Sequence, residues 1–327
     1  MRTVSRILAA TDLSAAGNAA LTRAGQIAGL QGAQLRIIHA TPDWNLFSNR
    51  ASMAQQHYTD ISRNAEMLLK RAKDRLAAEF SIHVVAELHQ GKASQSIARC
   101  VAQYQPGLLV LGAHGEHASG SSTIALGATT MKLITQVKVP LLLVRQAVAK
   151  PYSTSVAAIG PSSDHARRIV HWANVITAGG DCHIVRTYEV PYLERLKLSG
   201  VSPEAIATCY EDAEVSARYA ANPPWSGEES AAKMHMHLVR GTPVPSVLSE
   251  VGRHGAQVVV IGRHEQVPPS SEHSPMGCIG TQIAYHCPVD VLMVPCENSL
   301  WPPPSAAYSS RSATCTTRPV PSFADQR

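Results

Sequence analysis

The sequence predicts an α/β protein made of two tandem, doubly wound parallel-sheet domains. Three observations predict this fold. Short apolar runs alternate with helical stretches. Those runs lack the strict alternation of a half-exposed strand, as suits strands buried on both faces. The whole pattern then recurs 150 positions further on. The 327 residues suffice for two domains of ordinary size.

The first half reads β-α-β-α-β-α-β-α-β. Strands are expected from Arg6 to Ala10, Gln34 to Ala40, Ser81 to Leu88, Leu108 to Gly112 and Leu141 to Val144. The first helix is expected from Ser14 to Ala28, with Ser14 as N-cap and small apolar residues on one face. The second runs from Met53 to Glu79, with Met67, Leu68, Arg71 and Arg75 at helical spacing. Two shorter helices, Ser94 to Gln103 and Ala128 to Thr135, follow Gly91 and Gly127.

The repeat is explicit. "GKASQSIARCVAQYQPGLLVLGAHG" from Gly91 matches "GTPVPSVLSEVGRHGAQVVVIGRHE" from Gly241. Ile97 falls on Val247, Leu111 on Ile261 and Gly112 on Gly262. "GATTMKLITQVKVPLLLV" from Gly127 matches "GCIGTQIAYHCPVDVLMV" from Gly277, and "SRILAATDLS" from Ser5 aligns with "SVAAIGPSSD" from Ser155. A repeat of this length is a duplicated domain rather than a solenoid unit. Domains are therefore expected over residues 1–146 and 155–297, with a linker near Gln146 to Ser155 and a loop from Asn222 to Ser230. From Asn298 onward Pro, Ser and Thr dominate, which predicts a disordered tail over 298–327.

Composition excludes several classes. Hydrophobic residues are 45% and charged residues 16%, a globular balance, and a net charge of +5 with no Lys/Arg run makes nucleic-acid binding unexpected. No stretch approaches the ~20 apolar residues of a membrane span. The first ten residues lack an apolar leader core, so a cytoplasmic protein is expected. Seven cysteines without a CxxC pair read as reduced thiols. His235 and His237 alternate in "KMHMHLV" and share one strand face, but no third ligand is evident; His114 and His117 flank Gly115 and with His39 could suggest a metal, but a loop-shaping role is favoured for His114. No metal site is expected.

The segment most suited to chemistry is "LGAHGEHASGSSTIALGATT", Leu111 to Thr130, which follows a strand and opens a helix. In a doubly wound sheet, ligands sit at the carboxyl ends of the strands. Gly112 and Gly115 would let backbone approach a ribose or phosphate without a Cβ between. Gly127, Ala128 and Thr129 open a helix whose free N–H groups favour an anion, and Thr129 and Thr130 add hydroxyls. Asp12, at the end of the first strand, is placed to accept from adenine or ribose.

With these residues the chain resembles a tandem universal stress protein, over roughly Met1 to Cys296. That family's loop reads Gly, two residues, Gly, nine residues, then Gly-Ser/Thr. Here Gly112 and Gly115 fit, Gly127 follows after eleven residues, and Ala128 stands at the Ser/Thr position. Ala10, Thr11 and Asp12 match the family's "ATD", Ala40 its adenine-contacting backbone position, and "KVPLLLV" the last strand, through which domains pair edge to edge. Leu111 immediately precedes the loop. The second half departs further: Ser162 aligns with Asp12, Glu265 replaces the second glycine, and Cys278 replaces the Ser/Thr.

The resemblance implies a Rossmann-like fold of the adenine nucleotide α-hydrolase type. It implies a stress-response regulator that binds ATP or another adenine nucleotide in its first domain, with Mg as an accompanying ion and little or no turnover. It implies a pseudo-dimer within one chain, joined by the last strands, and leaves open a homodimer and an unidentified protein partner. No SGG-x-DS loop, HxGH motif or Ser-His-Asp arrangement supports an enzyme. Two alternatives remain: a non-nucleotide scaffold of the same fold, and a slow ATP hydrolase.

Overall fold

The computed structural model describes residues 4–42, 52–114, 126–145, 150–160, 163–220, 233–263 and 279–295. The predicted tail over 298–327, the Asn222 to Ser230 loop, Gly115, His117, Glu265 and Cys278 lie outside the described residues.

Ten strands form one sheet in the order β3-β2-β1-β4-β5-β10-β9-β6-β7-β8. In the first half these are β1 (Arg6–Thr11), β2 (Gln34–Thr41), β3 (Val84–Gln90), β4 (Leu108–Gly112) and β5 (Leu141–Val144). In the second they are β6 (Thr154–Ile159), β7 (Asp181–Tyr188), β8 (Met234–Arg240), β9 (Val258–Arg263) and β10 (Asp290–Pro295). Each half has the same order with parallel pairing, and the halves meet where β10 runs antiparallel to β5, with Leu292 opposite Leu142. That pairing covers two strand edges that would otherwise carry open hydrogen-bonding groups. Leu141, Leu142, Leu143, Val291, Leu292 and Met293 are all fully buried there. Each such side chain contributes roughly 1.5–3 kcal/mol of burial.

Helices cover both faces. In the first half α1 (Ala15–Gln31) packs on β1 and β4, with α2 (Ser52–Phe80) beside it. Ser14 caps α1, its hydroxyl accepting from the Gly17 N–H, and Gly32 ends it at φ 61, a left-handed conformation that glycine adopts without strain. On the opposite face lie α3 (Ala93–Tyr104) and α4 (Ala128–Gln136). In the second half α5 (Ser163–Ile176) packs on β6 and β9. Where the first half has the single helix α2, the second has α6 (Leu193–Leu198) and α7 (Pro203–Ala220). α8 (Pro243–His254) and α9 (Ile279–His286) pack against one core with α3 and α4 that runs across both halves.

Polar groups also fasten the seam. Asp290, fully buried, accepts from the Tyr152 hydroxyl and the Arg145 N–H, and its carboxylate lies 3.6 Å from Arg23 on α1. Arg23 also sits 3.8 Å over the Tyr152 ring and donates to the Lys150 carbonyl. Two arginines cap helices of the opposite half. Arg145 donates to the Ala284 and Tyr285 carbonyls of α9, and Arg263 donates to those of Ile134, Val137 and Val139 at the end of α4. Carbonyls at a helix C-terminus lack intrahelical partners, so each guanidinium satisfies groups that would otherwise be buried bare.

Pairing registers set which residues of the halves are equivalent. Ile7 pairs with Leu108, and Ser155 with Val258, 150 positions on from Leu108. Ile7 is therefore equivalent to Ser155, and Asp12 to Gly160 rather than to Ser162, as sequence alignment suggests. Carried outward through β2 and β7, the registers match Arg36 with His183, and through β3 and β8 they match Glu87 with His237.

Candidate functional site

The strand order reverses between β1 and β4, so connections leave the carboxyl ends of these strands toward opposite faces and open a cleft. A cavity of about 500 Å³ lies there. Ala10, Thr11 and Asp12 line it from β1, Ala40 from β2, Leu111 and Gly112 from β4, and Gly127, Ala128, Thr129 and Thr130 from the start of α4. Of the eleven residues expected at the site, ten line this cavity, and Gly115 falls outside the described residues. Of the eleven-residue stretch that follows it, 116–126, all but Leu126 lies outside them as well.

Local chemistry explains the placement. The Asp12 carboxylate accepts from the Ser14 N–H at 3.0 Å and from the Ser14 hydroxyl, while the Thr11 hydroxyl accepts from the Leu13 N–H at 2.9 Å. Leu13 takes φ 67 in this turn. Gly17 is required close by: a Cβ there would come within 2.5 Å of both Asp12 Oδ1 and Thr11 Oγ1. At Gly112 a Cβ would meet the His114 carbonyl at 3.2 Å.

The start of α4 is the polar end of the cavity. Gly127 is its N-cap without a side-chain cap hydrogen bond, and its own N–H goes to the Ala113 carbonyl. The first N–H groups of the helix therefore face the cavity with the positive end of the helix dipole. Thr129 is half-buried there, whereas the buried Thr130 hydroxyl donates to the Gly112 carbonyl at 3.2 Å and acts as a strut rather than as a ligand donor. The opposite wall is apolar, from Ile38, Ala93, Ile97 and Leu126.

His114 was missed as more than a loop-shaping residue. Its Nε2 accepts from Arg145 Nη1 at 3.0 Å, and the same guanidinium reaches the α9 carbonyls, so hydrogen bonds run from the cavity wall into the second half. Burial lowers the Arg145 pKa from its ordinary value, and the nearby Cys287 and Asp290 oppose that. His39 is held by the Thr11 carbonyl at 2.8 Å, away from His114. Only proximity in the fold, not spacing in the sequence, joins His114 to Arg145.

A half-apolar cleft thus lies at the switch point of a doubly wound α/β sheet, with the N-terminus of α4 at one end. Residues 3–145 match the model of the universal stress protein family. The whole fold is similar to a universal stress protein from Archaeoglobus fulgidus, at 18% identity and a TM-score of 0.61 over 89% of this chain and 98% of that one. It is also similar to a functionally unknown protein from Pseudomonas aeruginosa, at 18% identity and a TM-score of 0.57 over 90% and 93%. At these identities the likeness establishes the fold. None of the curated proteins matches the sequence. Among the described residues no helix is long and apolar enough to cross a membrane.

Proposed function

We propose that the chain is a tandem universal stress protein, with domains over residues 1–146 and 155–297, whose first domain binds an adenine nucleotide, ATP foremost, with little or no turnover. The observation that carries this reading is the convergence of Asp12, Ala40, Gly112 and the uncapped start of α4 on one cavity of about 500 Å³. Its size suits a nucleoside with part of its phosphate chain. The base would lie against Ile38, Ala40 and Ile97, Asp12 would accept from ribose or adenine, and the phosphates, with any accompanying Mg, would sit over Gly127 and Thr129. In favour of low turnover, among the described lining residues the carboxylate is Asp12, which accepts from Ser14, and the imidazole is His114, which accepts from Arg145. We assign the protein to the cytoplasm on the same reading.

The second domain has Gly160 in place of Asp12 and His165 in place of Gly17, which favours a structural role for that half. The test is the nucleotide released on denaturing freshly purified protein, together with calorimetry of ATP uptake. About one adenine nucleotide per chain, lost in Asp12→Arg, is the expected outcome. Protein that is clean and takes up no ATP would leave the chain as a scaffold of the same fold.

A further inference from the structure

The outer edge of the second half carries a side-chain cluster with no part in the nucleotide cavity. His183 on β7, His237 on the edge strand β8 and His254 at the end of α8 bring ring nitrogens within 4.8 Å of one another. Among the described residues this is the one group of three or more His, Cys, Asp or Glu side chains so placed. The fold builds it from residues 71 positions apart. β7 and β8 pair in parallel with His183 opposite His235 and Val185 opposite His237, and α8 packs over β7 until Gly255 ends it at φ 58. The His183 Nδ1 and His237 Nε2 atoms are 3.0 Å apart. The His183 ring stacks on that of His254 at 3.8 Å and on that of the exposed His235 at 5.0 Å. All three core members of the cluster are half-buried, so an ion can reach them from solvent.

One feature suits this cluster to a cation rather than to mere packing: Glu250, buried at 1% exposure behind the ring of His254. It takes the Nε2 of His254 at 3.0 Å and Arg253 at 2.6 Å. The tautomer that donates Nε2–H to this carboxylate presents its lone pair on Nδ1. A carboxylate behind an imidazole is the arrangement that orients metal-binding histidines.

We propose that His183, His237 and His254 form a binding site for one divalent transition-metal ion of the zinc class, with Glu250 orienting His254. A tetrahedral zinc ion with Zn–N of about 2.0–2.1 Å sets its ligand nitrogens about 3.3 Å apart. The His183–His237 pair is already close to that spacing. The parallel rings of His183 and His254 must turn relative to each other, so that both lone pairs lie in plane with one ion. The fourth position is open to water or to His235. An all-imidazole set suits Zn²⁺, Cu²⁺ or Ni²⁺ and not Mg²⁺ or Ca²⁺.

The test is Co²⁺ titration of the untagged full chain, followed in the visible d–d bands and then by displacement with Zn²⁺. One Co²⁺ per chain in a four-coordinate spectrum, displaced by one Zn²⁺, is expected. The bands should vanish in His183→Ala, His237→Ala and His254→Ala, persist in His83→Ala from the first half, and need 10–100-fold more metal in Glu250→Gln. Melting curves confirm that each variant is folded, and a histidine-to-glutamine variant replaces any that is not. Absence of the bands in the wild-type chain, or their survival in any folded single variant of the three, overturns the site.

Discussion

In the first half, Arg36 on β2 pairs with Glu87 on β3 at 2.8 Å and sits 4.1 Å over the ring of Tyr104, the last residue of α3. In the second half the pairing registers put His183 and His237 at those strand positions, and His254 ends α8 where Tyr104 ends α3. Beneath the first trio lies the buried thiol of Cys100, and beneath the second the buried carboxylate of Glu250. One framework thus holds two kinds of group. The first trio is closed on itself, cation to carboxylate and cation to ring face. The second brings three imidazoles together with a carboxylate behind one of them. At the cavity end the contrast reverses. The first half has Asp12 and the small Gly17, while the second has Gly160 and His165 at the matching positions. A duplicated fold can carry different sites in its two copies, because the sheet fixes positions and leaves the side chains free to differ.

The strongest way to break this comparison is to give the second half the first half's residues. A quadruple variant, His183→Arg, His237→Glu, His254→Tyr and Glu250→Cys, should fold, because the first half already satisfies that set at the same backbone positions. It should lose Co²⁺ binding altogether while keeping adenine-nucleotide uptake. Retained metal binding, read from the visible spectrum, would show that the trio is not the site.

The reverse exchange sharpens the other end. Gly17→His puts the second half's residue where even a Cβ meets Asp12 Oδ1 and Thr11 Oγ1 at 2.5 Å. The Asp12 carboxylate must move, so ATP affinity should fall at least tenfold, about 1.4 kcal/mol. Co²⁺ binding in the second half should not change. Unaltered ATP affinity by calorimetry would mean that the nucleotide does not lie against this turn.

The sheet was legible because its strands are continuous apolar runs, and α1 because Ser14 caps it. Four of the five first-half strands start where the sequence places them. β3 does not: it begins at Val84 rather than Ser81, because Ser81 takes φ 53 in the turn before it. The cavity lining was legible because glycine and small residues cluster at strand ends. Three things were not. The Thr130 hydroxyl reads as a donor in sequence, but helix geometry points it at Gly112. The second half's first strand begins at Thr154, two residues earlier than the 150-residue offset puts it, so the partner of Asp12 is Gly160 rather than Ser162. The histidine cluster depends on His183 and His254, which no spacing rule joins to "HMH". Only the parallel pairing of β7 with β8, and the length of α8, bring them together.

The smallest expected effect separates the halves by pH. An unfolded His183 takes up its proton near 6.5, whereas the folded ring holds off until about 4. Between those values the unfolded state binds more protons, so stability is full above about pH 6.5 and is lost as pH falls toward 4. His237 shifts in the same direction. The groups that face the ring are His235 and His237 on β8, His254, Glu250 and Arg253 on α8, and Asp181 at the start of β7. Asp181 opposes the shift and the other histidines deepen it. Because the cluster is half-exposed, water and salt screen part of the effect. Denaturant unfolding at pH 7.5 and pH 5 should show a drop in stability that is smaller in His183→Gln than in the wild-type chain. Equal drops in the two would place the acid sensitivity elsewhere in the chain.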